Sequence, residues 1–193
     1  MTHPDPASLA ECRIVRLNAE LFPPSQEERE ACGRFGIEPV PVEAGTVAEL
    51  QQVVAGADAV FAVSVNLPAE VIGAMDRCRV ISRMGTGTDR IDVQEATRRG
   101  ILVTNVPDFC VEEQADHAMA MLLALERQLK RMDRDTAAGH WTGSRTASGR
   151  NHRLPGRTLG LVGFGRSAKA MARRARGFGL HLLATRLQRL TGE

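Results

Sequence analysis

Thr158-Leu-Gly-Leu-Val-Gly163-Phe-Gly165-Arg-Ser-Ala168 is the stretch on which the reading of this 193-residue chain turns. Thr158–Val162 is an apolar β-run, and two glycines follow at G-x-G-x-x-A spacing. A helical stretch comes next, with Met171, Ala172 and Ala175 on its apolar side, ending at Gly177 and Gly179. Leu180–Ala184 is a second apolar strand. Strand, glycine loop, helix and strand in this order make a dinucleotide fingerprint. Gly163 permits the tight turn, Gly165 lets backbone approach a pyrophosphate, and the small Ala168 lets helix pack closely on strand. The helix start at Arg166, Ser167 and Ala168 offers free amides and the positive end of a dipole to phosphates. A glycine turn that serves only packing is the alternative. Such fingerprints carry an acidic residue at the end of the second strand, and here that place holds Arg186. An arginine there favours a 2′-phosphate, or is incidental, so NAD and NADP both stay open.

Ahead of this segment the first hundred residues alternate strand and helix signals. Arg13–Leu17, Ile37–Val42, Ala59–Val65, Arg79–Ser82 and Ile101–Asn105 read as strands. Ser25-Gln-Glu-Glu28 and Thr46-Val-Ala-Glu49 are capping boxes that open helices. Val47, Leu50 and Val54 share one helical face. Leu67-Pro68 opens a helix through Met75, and Asp92 caps another that ends at Gly100, where a left-handed residue belongs. The continuous apolar run Ala59–Val65 suits a parallel strand buried on both faces. The alternation predicts a doubly wound parallel α/β domain over 1–104. Pro107 breaks the rhythm. Asp108 is placed to cap a long helix over about 111–132, with Ala118, Leu122, Leu125, Leu129 and Met132 on one stripe. Glu112 and Glu113 favour the dipole of its first turn, and Glu126 and Lys130 form an i, i+4 pair. Ala137–Pro155 reads as an exposed loop anchored by Trp141. The second domain is thus 105–193, with one βαβ unit over 158–184.

Composition excludes several classes. Hydrophobic residues make up 43%, and 18 glycines bring the apolar share to the ordinary globular value, not that of a disordered, collagen-like or coiled-coil chain. The longest apolar run, Ala118–Leu125, is far short of the ~20 residues of a membrane span. The N-terminus shows no basic region followed by an apolar core, so no secretory signal is expected. Cys12, Cys32, Cys78 and Cys110 are scattered, which predicts reduced thiols and a cytoplasmic location rather than a disulfide or zinc scaffold. The net charge of +2 hides a split: 1–126 carries 10 basic and 20 acidic groups, and 127–193 carries 15 basic and 3 acidic. The basic half reads as a solvated arginine face or one turned to phosphates or acidic partners. Nucleic acid is a poor fit, because aromatic interleaving and a recognition motif are lacking.

Five stretches, in order, carry a family resemblance. They are Arg83-Met-Gly-Thr-Gly-Thr-Asp-Arg-Ile-Asp92, Gly100-Ile-Leu-Val-Thr-Asn-Val-Pro107, Val111-Glu-Glu-Gln-Ala-Asp-His117, Gly139-His-Trp141 and Leu159-Gly-Leu-Val-Gly-Phe-Gly-Arg166. Over about 79–184 the chain resembles the D-isomer-specific 2-hydroxyacid dehydrogenases, and within them the C-terminal-binding-protein-like subgroup. The resemblance implies a flavodoxin-like substrate domain followed by a Rossmann nucleotide domain, with the active site in the cleft between them. It implies that Arg83, Thr86 and Gly87 meet the substrate, the Gly85-Thr86-Gly87 turn offering amides to a carboxylate as an anion nest. It also implies that Thr86 and Gln114 approach the cofactor.

The reaction so implied is hydride transfer between a nicotinamide and a small 2-hydroxy or 2-oxo acid. It needs a general acid/base and a cation. In the resembling family a His supported by a Glu, and an Arg, fill those roles after the second nucleotide-domain strand. The expectation is therefore a C-terminally truncated Rossmann domain, no catalytic residue in this chain and no activity alone. His117, His140, His152 and His181 read as packing or surface residues. The resemblance further implies a homodimer, or docking on a full-length paralogue, through helix 111–132. A non-catalytic, corepressor-like dinucleotide-binding module is the rival reading.

Overall fold

A computed structural model describes residues 9, 11–148 and 151–185. The chain divides into two compact units, Met1–Phe109 and Cys110–Glu193. The division falls after the Pro107 turn rather than at 104/105.

The first unit is a five-stranded parallel sheet in the order β2-β1-β3-β4-β5. Its strands are β1 (Ile14–Leu17), β2 (Val40–Val42), β3 (Ala59–Ala62), β4 (Val80–Arg83) and β5 (Leu102–Thr104). This is the flavodoxin-like doubly wound order. The helices between them are α1 (Gln26–Gly33), α2 (Val47–Val54), α3 (Ala69–Ile72) and α4 (Val93–Arg98). Both capping signals place helix starts correctly. At α2 the box is complete: Thr46 accepts from the Glu49 amide, and the Glu49 carboxylate accepts from the Thr46 amide. Those backbone bonds hold the Glu49 carboxyl below the usual carboxylate range. Asp92 accepts from the Glu95 amide at α4, and Gly100 closes that helix at φ +72°. The helix expected through Met75 is one turn, α3. Beyond it single-turn bonds bring Met75 into the core.

Ser25 caps α1, but only half of its box forms, because the Glu28 carboxylate turns to Arg16 instead. Every residue of β1 is buried, and Val15 and Leu17 lie in the main core with Val60, Ile72 and Ile81. Alternation along the strand puts Arg16 on the opposite face. Arg16 is 3% exposed. Its Nε and Nη2 donate to the two Glu28 oxygens at 2.6 and 3.2 Å. Its Nη1 meets no acceptor among the described residues.

The second unit holds α5 (Val111–Glu126), α6 (Leu129–Ala137), α7 (Trp141–Ser148), β6 (Thr158–Val162), α8 (Arg166–Gly177) and β7 (His181–Thr185). β6 and β7 pair in parallel, Val162 beside Thr185, with α8 as the crossover. Ala115 and Met119 of α5 pack with Ala170 and Met171 of α8, and Leu159 and Leu161 of β6 join them. Val162, 95% exposed, and Leu183, 65% exposed, lie open on these two strands.

Four expectations fail here. The long helix breaks at Arg127–Gln128, where Gln128 takes a left-handed φ of +52°. The buried stripe is therefore set by Ala115 and Met119, and Leu125 is 78% exposed. Glu126 pairs not with Lys130 but with Arg157, at 2.7 Å. The N-cap of α5 is Cys110, at φ +54°, not Asp108. The expected loop contains α7, and Trp141 is 71% exposed rather than buried as an anchor.

The charge split closes on itself within this unit. Arg174 of α8 reaches Asp116 at 2.6 Å and Glu112 at 2.8 Å, and Arg173 reaches Glu112 at 2.6 Å. The Arg174 hydrogen bond, ahead of the other influences, holds the Glu112 carboxyl below its ordinary range.

Two outcomes follow from these ion pairs. Arg16→Ala strands a buried carboxylate and is expected to lower stability by about 3–5 kcal/mol, whereas Arg16→Met with Glu28→Leu recovers most of it. Urea unfolding of the three proteins checks this. A carboxyl held low in the folded state adds stability above its ordinary range and loses it as the pH falls through the folded value. Thermal melting of the second unit is therefore expected to drop on acidification below about pH 4. The drop should be shallower in Glu112→Gln, and an unchanged slope would sink the assignment.

Candidate functional site

The start of α8 is built as an anion cradle. Gly163 ends β6 at φ +88°, a left-handed turn that suits glycine, and its amide donates to Thr185 O at 2.9 Å. Gly165 is the helix N-cap and has no side chain to cap with. The amides of Ser167 and Ala168 therefore meet no acceptor among the described residues. A Cβ built on Gly165 would meet nothing within 4 Å. The fold itself does not demand glycine there, so the open space beside it is available to a ligand.

The charges point the same way. Carboxylates belong at the positive end of a helix dipole, as Glu112 and Glu113 do on α5. The first turn of α8 has none. It opens with Arg166, and Lys169 follows, its Nζ 5.9 Å from the centre of the Phe164 ring. Amides without an acceptor among the described residues and the open space at Gly165 together fit a diphosphate. Sequence reading missed Lys169, although a cation four residues after a bare glycine cap was a visible signal.

Gln114 is brought to this cradle by the α5–α8 contact. Ser167 Oγ donates to Gln114 Oε1 at 2.6 Å, and Gln114 Nε2 donates to Cys110 Sγ at 3.4 Å. Gly163, Gly165, Arg166, Ser167, Ala168 and Gln114 thus gather in one unit. Arg186 lies outside the described residues.

The other candidates belong to the first unit, in the turn beyond β4, at the carboxyl edge where open parallel sheets bind ligands. Val106 N donates to Gly85 O at 3.0 Å, and Asn105 Nδ2 to Thr86 O at 2.7 Å. The amides of Thr86 and Gly87 meet no acceptor among the described residues, and both residues are exposed. Arg83 folds back over this turn. Its Nη1 donates to Met84 O at 2.8 Å and its Nε to Gly87 O at 3.1 Å. A Cβ on Gly85 would lie 2.6 Å from Nη1. Arg83 therefore holds the turn in shape, with Nη2 left for a ligand. Asn105 was not among the expected residues, and only the tertiary fold shows that it steadies the nest. His117, His140, His152 and His181 are all exposed.

The family model described as D-isomer specific 2-hydroxyacid dehydrogenase, catalytic domain, matches residues 19–185. A glyoxylate reductase of Thermococcus kodakarensis is 44% identical over 124 residues, covering 62% of this chain and 37% of that protein. A D-3-phosphoglycerate dehydrogenase of Mycobacterium leprae is 37% identical over 119 residues, covering 62% and 22%. The chain thus spans well under half the length of the curated relatives it matches. The crystal structure of D-lactate dehydrogenase from Aquifex aeolicus, complexed with NAD and lactic acid, superposes with a TM-score of 0.72 at 25% identity, over 93% of this chain and 53% of that one. Among the described residues no helix is long and apolar enough to cross a membrane. With the match running from the first strand's end to the last described residue, the chain belongs to the D-isomer-specific 2-hydroxyacid dehydrogenase family.

Proposed function

We propose that this chain serves NAD(P)-dependent interconversion of a small 2-hydroxy acid and its 2-oxo acid. The observation that carries this reading is the start of α8, a helix end with no side-chain cap, amides that meet no acceptor among the described residues, and open space at Gly165. The amides of Ser167 and Ala168, with Arg166 and Lys169, hold the diphosphate. The bound nicotinamide supplies hydride chemistry. The amides of Thr86 and Gly87 hold the acid's carboxylate, in the turn that Arg83 keeps open from behind. Glyoxylate, for which the similar reductases are named, is the first acid to test. We assign no general acid or base to His117, His140, His152 or His181. Placement near the C-terminal-binding-protein-like subgroup rests on the Arg83–Asp92 and Val111–His117 stretches and is part of this proposal. So is a cytoplasmic location, which suits four cysteines that form no disulfide.

Amide NMR of the 193-residue chain, titrated with NADH, NADPH and then glyoxylate, tests the reading. The dinucleotide is expected to move the Gly163–Lys169 amides, and the acid those of Thr86 and Gly87. Gly165→Ser adds the missing cap, so its melting point should hold or rise, while its dinucleotide affinity should fall about tenfold as the side chain takes an amide and fills the approach. Full affinity in Gly165→Ser would refute the cradle. Dinucleotide binding with no glyoxylate-induced shift at Thr86 or Gly87 would favour the non-catalytic module.

A second reading concerns assembly. Met121, Leu125 and Leu129 leave an apolar strip exposed along α5 and the start of α6. We propose that a second copy, or a longer paralogue, covers it. Sedimentation should then show a dimer, or a complex with the longer paralogue, that Leu125→Glu dissociates, and a parent chain that stays monomeric and binds no such paralogue would rule this out.

A further inference from the structure

We propose that Cys110, Gln114 and Ser167 form a hydrogen-bond relay that turns the Ser167 hydroxyl toward a phosphate when a dinucleotide binds. The proposal rests on the dinucleotide reading above and adds to it a device built from this chain's own side chains.

The geometry shows the resting arrangement. Ser167 is the second residue of α8, beside the uncapped Gly165. Its only proton goes to Gln114 Oε1 at 2.6 Å. Toward anything else the hydroxyl can then only accept, and a phosphate offers no proton. In this arrangement the Ser167 hydroxyl contributes nothing to anion binding, which is left to the amide. The second half of the Gln114 amide, Nε2, donates to Cys110 Sγ at 3.4 Å.

A half-turn of the Gln114 amide exchanges its oxygen and nitrogen and reverses the chain. Nε2 then donates to Ser167 Oγ, and Oε1 accepts the Cys110 thiol proton. Ser167 Oγ–H is released to donate to a phosphate oxygen. The three side chains stay linked in both arrangements, because a thiol can donate as well as accept. No covalent bond changes, and no proton leaves its own heavy atom. Without an anion the short hydroxyl–carbonyl bond favours the resting form over the weaker thiol bond. A phosphate oxygen supplies a charged acceptor for the released proton, which is about twice as strong as a neutral one and tips the balance.

Cys110 is placed for this role. It is the N-cap of α5 at φ +54° and makes no side-chain capping bond, so its sulfur faces Gln114 instead of the helix amides. Gln114, an exposed glutamine of the first turn, would otherwise sit in water. Cys110 and Gln114 are positioning residues, and Ser167 is the contact.

The test is a set of NADH and NADPH titrations on the 193-residue chain, with circular dichroism melting to confirm that each variant folds. Ser167→Ala is expected to weaken binding about fivefold, the loss of one charge-assisted bond. Gln114→Glu, which can only accept, should hold the Ser167 proton and weaken binding at least as much. Gln114→Met releases the hydroxyl and should lose less affinity than Gln114→Glu. Cys110→Ala should weaken binding about threefold, and Cys110→Ser, which donates as the thiol does, should restore it. In a Ser167→Ala background, Cys110→Ala should have no further effect, a coupling that simple packing would not produce. Additive losses at Cys110 and Ser167, or equal losses in Gln114→Met and Gln114→Glu, would overturn the relay while leaving the dinucleotide site intact. A folded parent chain that binds neither dinucleotide would overturn both.

Discussion

Ala115 and Met119 of α5 meet Ala170 and Met171 of α8, and Leu159 and Leu161 of β6 complete the cluster. Two strands form a marginal sheet by themselves, so β6 and β7 depend on this contact for a covered face. The alanines let the helices approach closely, and Arg174 then clasps Glu112 and Asp116 beside them. The same approach brings Gln114 to Ser167. Position of the glycine loop, pairing of the opposite charges and composition of the cradle therefore share one cause. Each of those arginines would be read from the chain alone as a solvated cation or a phosphate ligand. In the folded unit, Arg157, Arg173 and Arg174 are engaged with carboxylates of α5.

The first unit rests on a different balance. β1 is central in its sheet and buried on both faces, yet one of its four residues is an arginine. Glu28 of α1 neutralises it and ties that helix to the strand. Buried ion pairs of this kind cost desolvation and contribute less to stability than an apolar pair, but removing one partner is damaging. A rigid sheet then fixes where β4 ends, and the glycine turn beyond it projects from the carboxyl edge. Arg83, Asn105 and the Val106 amide hold that turn in shape from behind, so the exposed Thr86 and Gly87 amides need no movement to receive an anion.

Strand positions were legible as short apolar runs between turn residues, and β6 matches its expected span residue for residue. Helix starts were legible at Ser25, Thr46 and Asp92 because a cap is a local bond between neighbours. The 111–132 helix was not, although its apolar spacing is regular. Nothing local marks the break at Gln128, a non-glycine residue in a left-handed conformation whose Nε2 bonds Asn151, far along the chain. Helix α7 was missed for a related reason: its glycine and serine content reads as loop, and it buries no tryptophan to give it away.

The sequence by itself determined the family, the parallel α/β class and the position of the glycine loop. Those rest on local order: a strand, two glycines at fixed spacing, a helix and a strand, each set by neighbours along the chain. Only the tertiary structure decided how the charged and polar side chains are used. It folded Arg83 back onto its own turn, and it turned Glu28 from a cap into the partner of Arg16 and Gln114 into the neighbour of Ser167. Those pairings join residues far apart in sequence, and a side chain that can reach several partners takes the one that packing brings within hydrogen-bond distance.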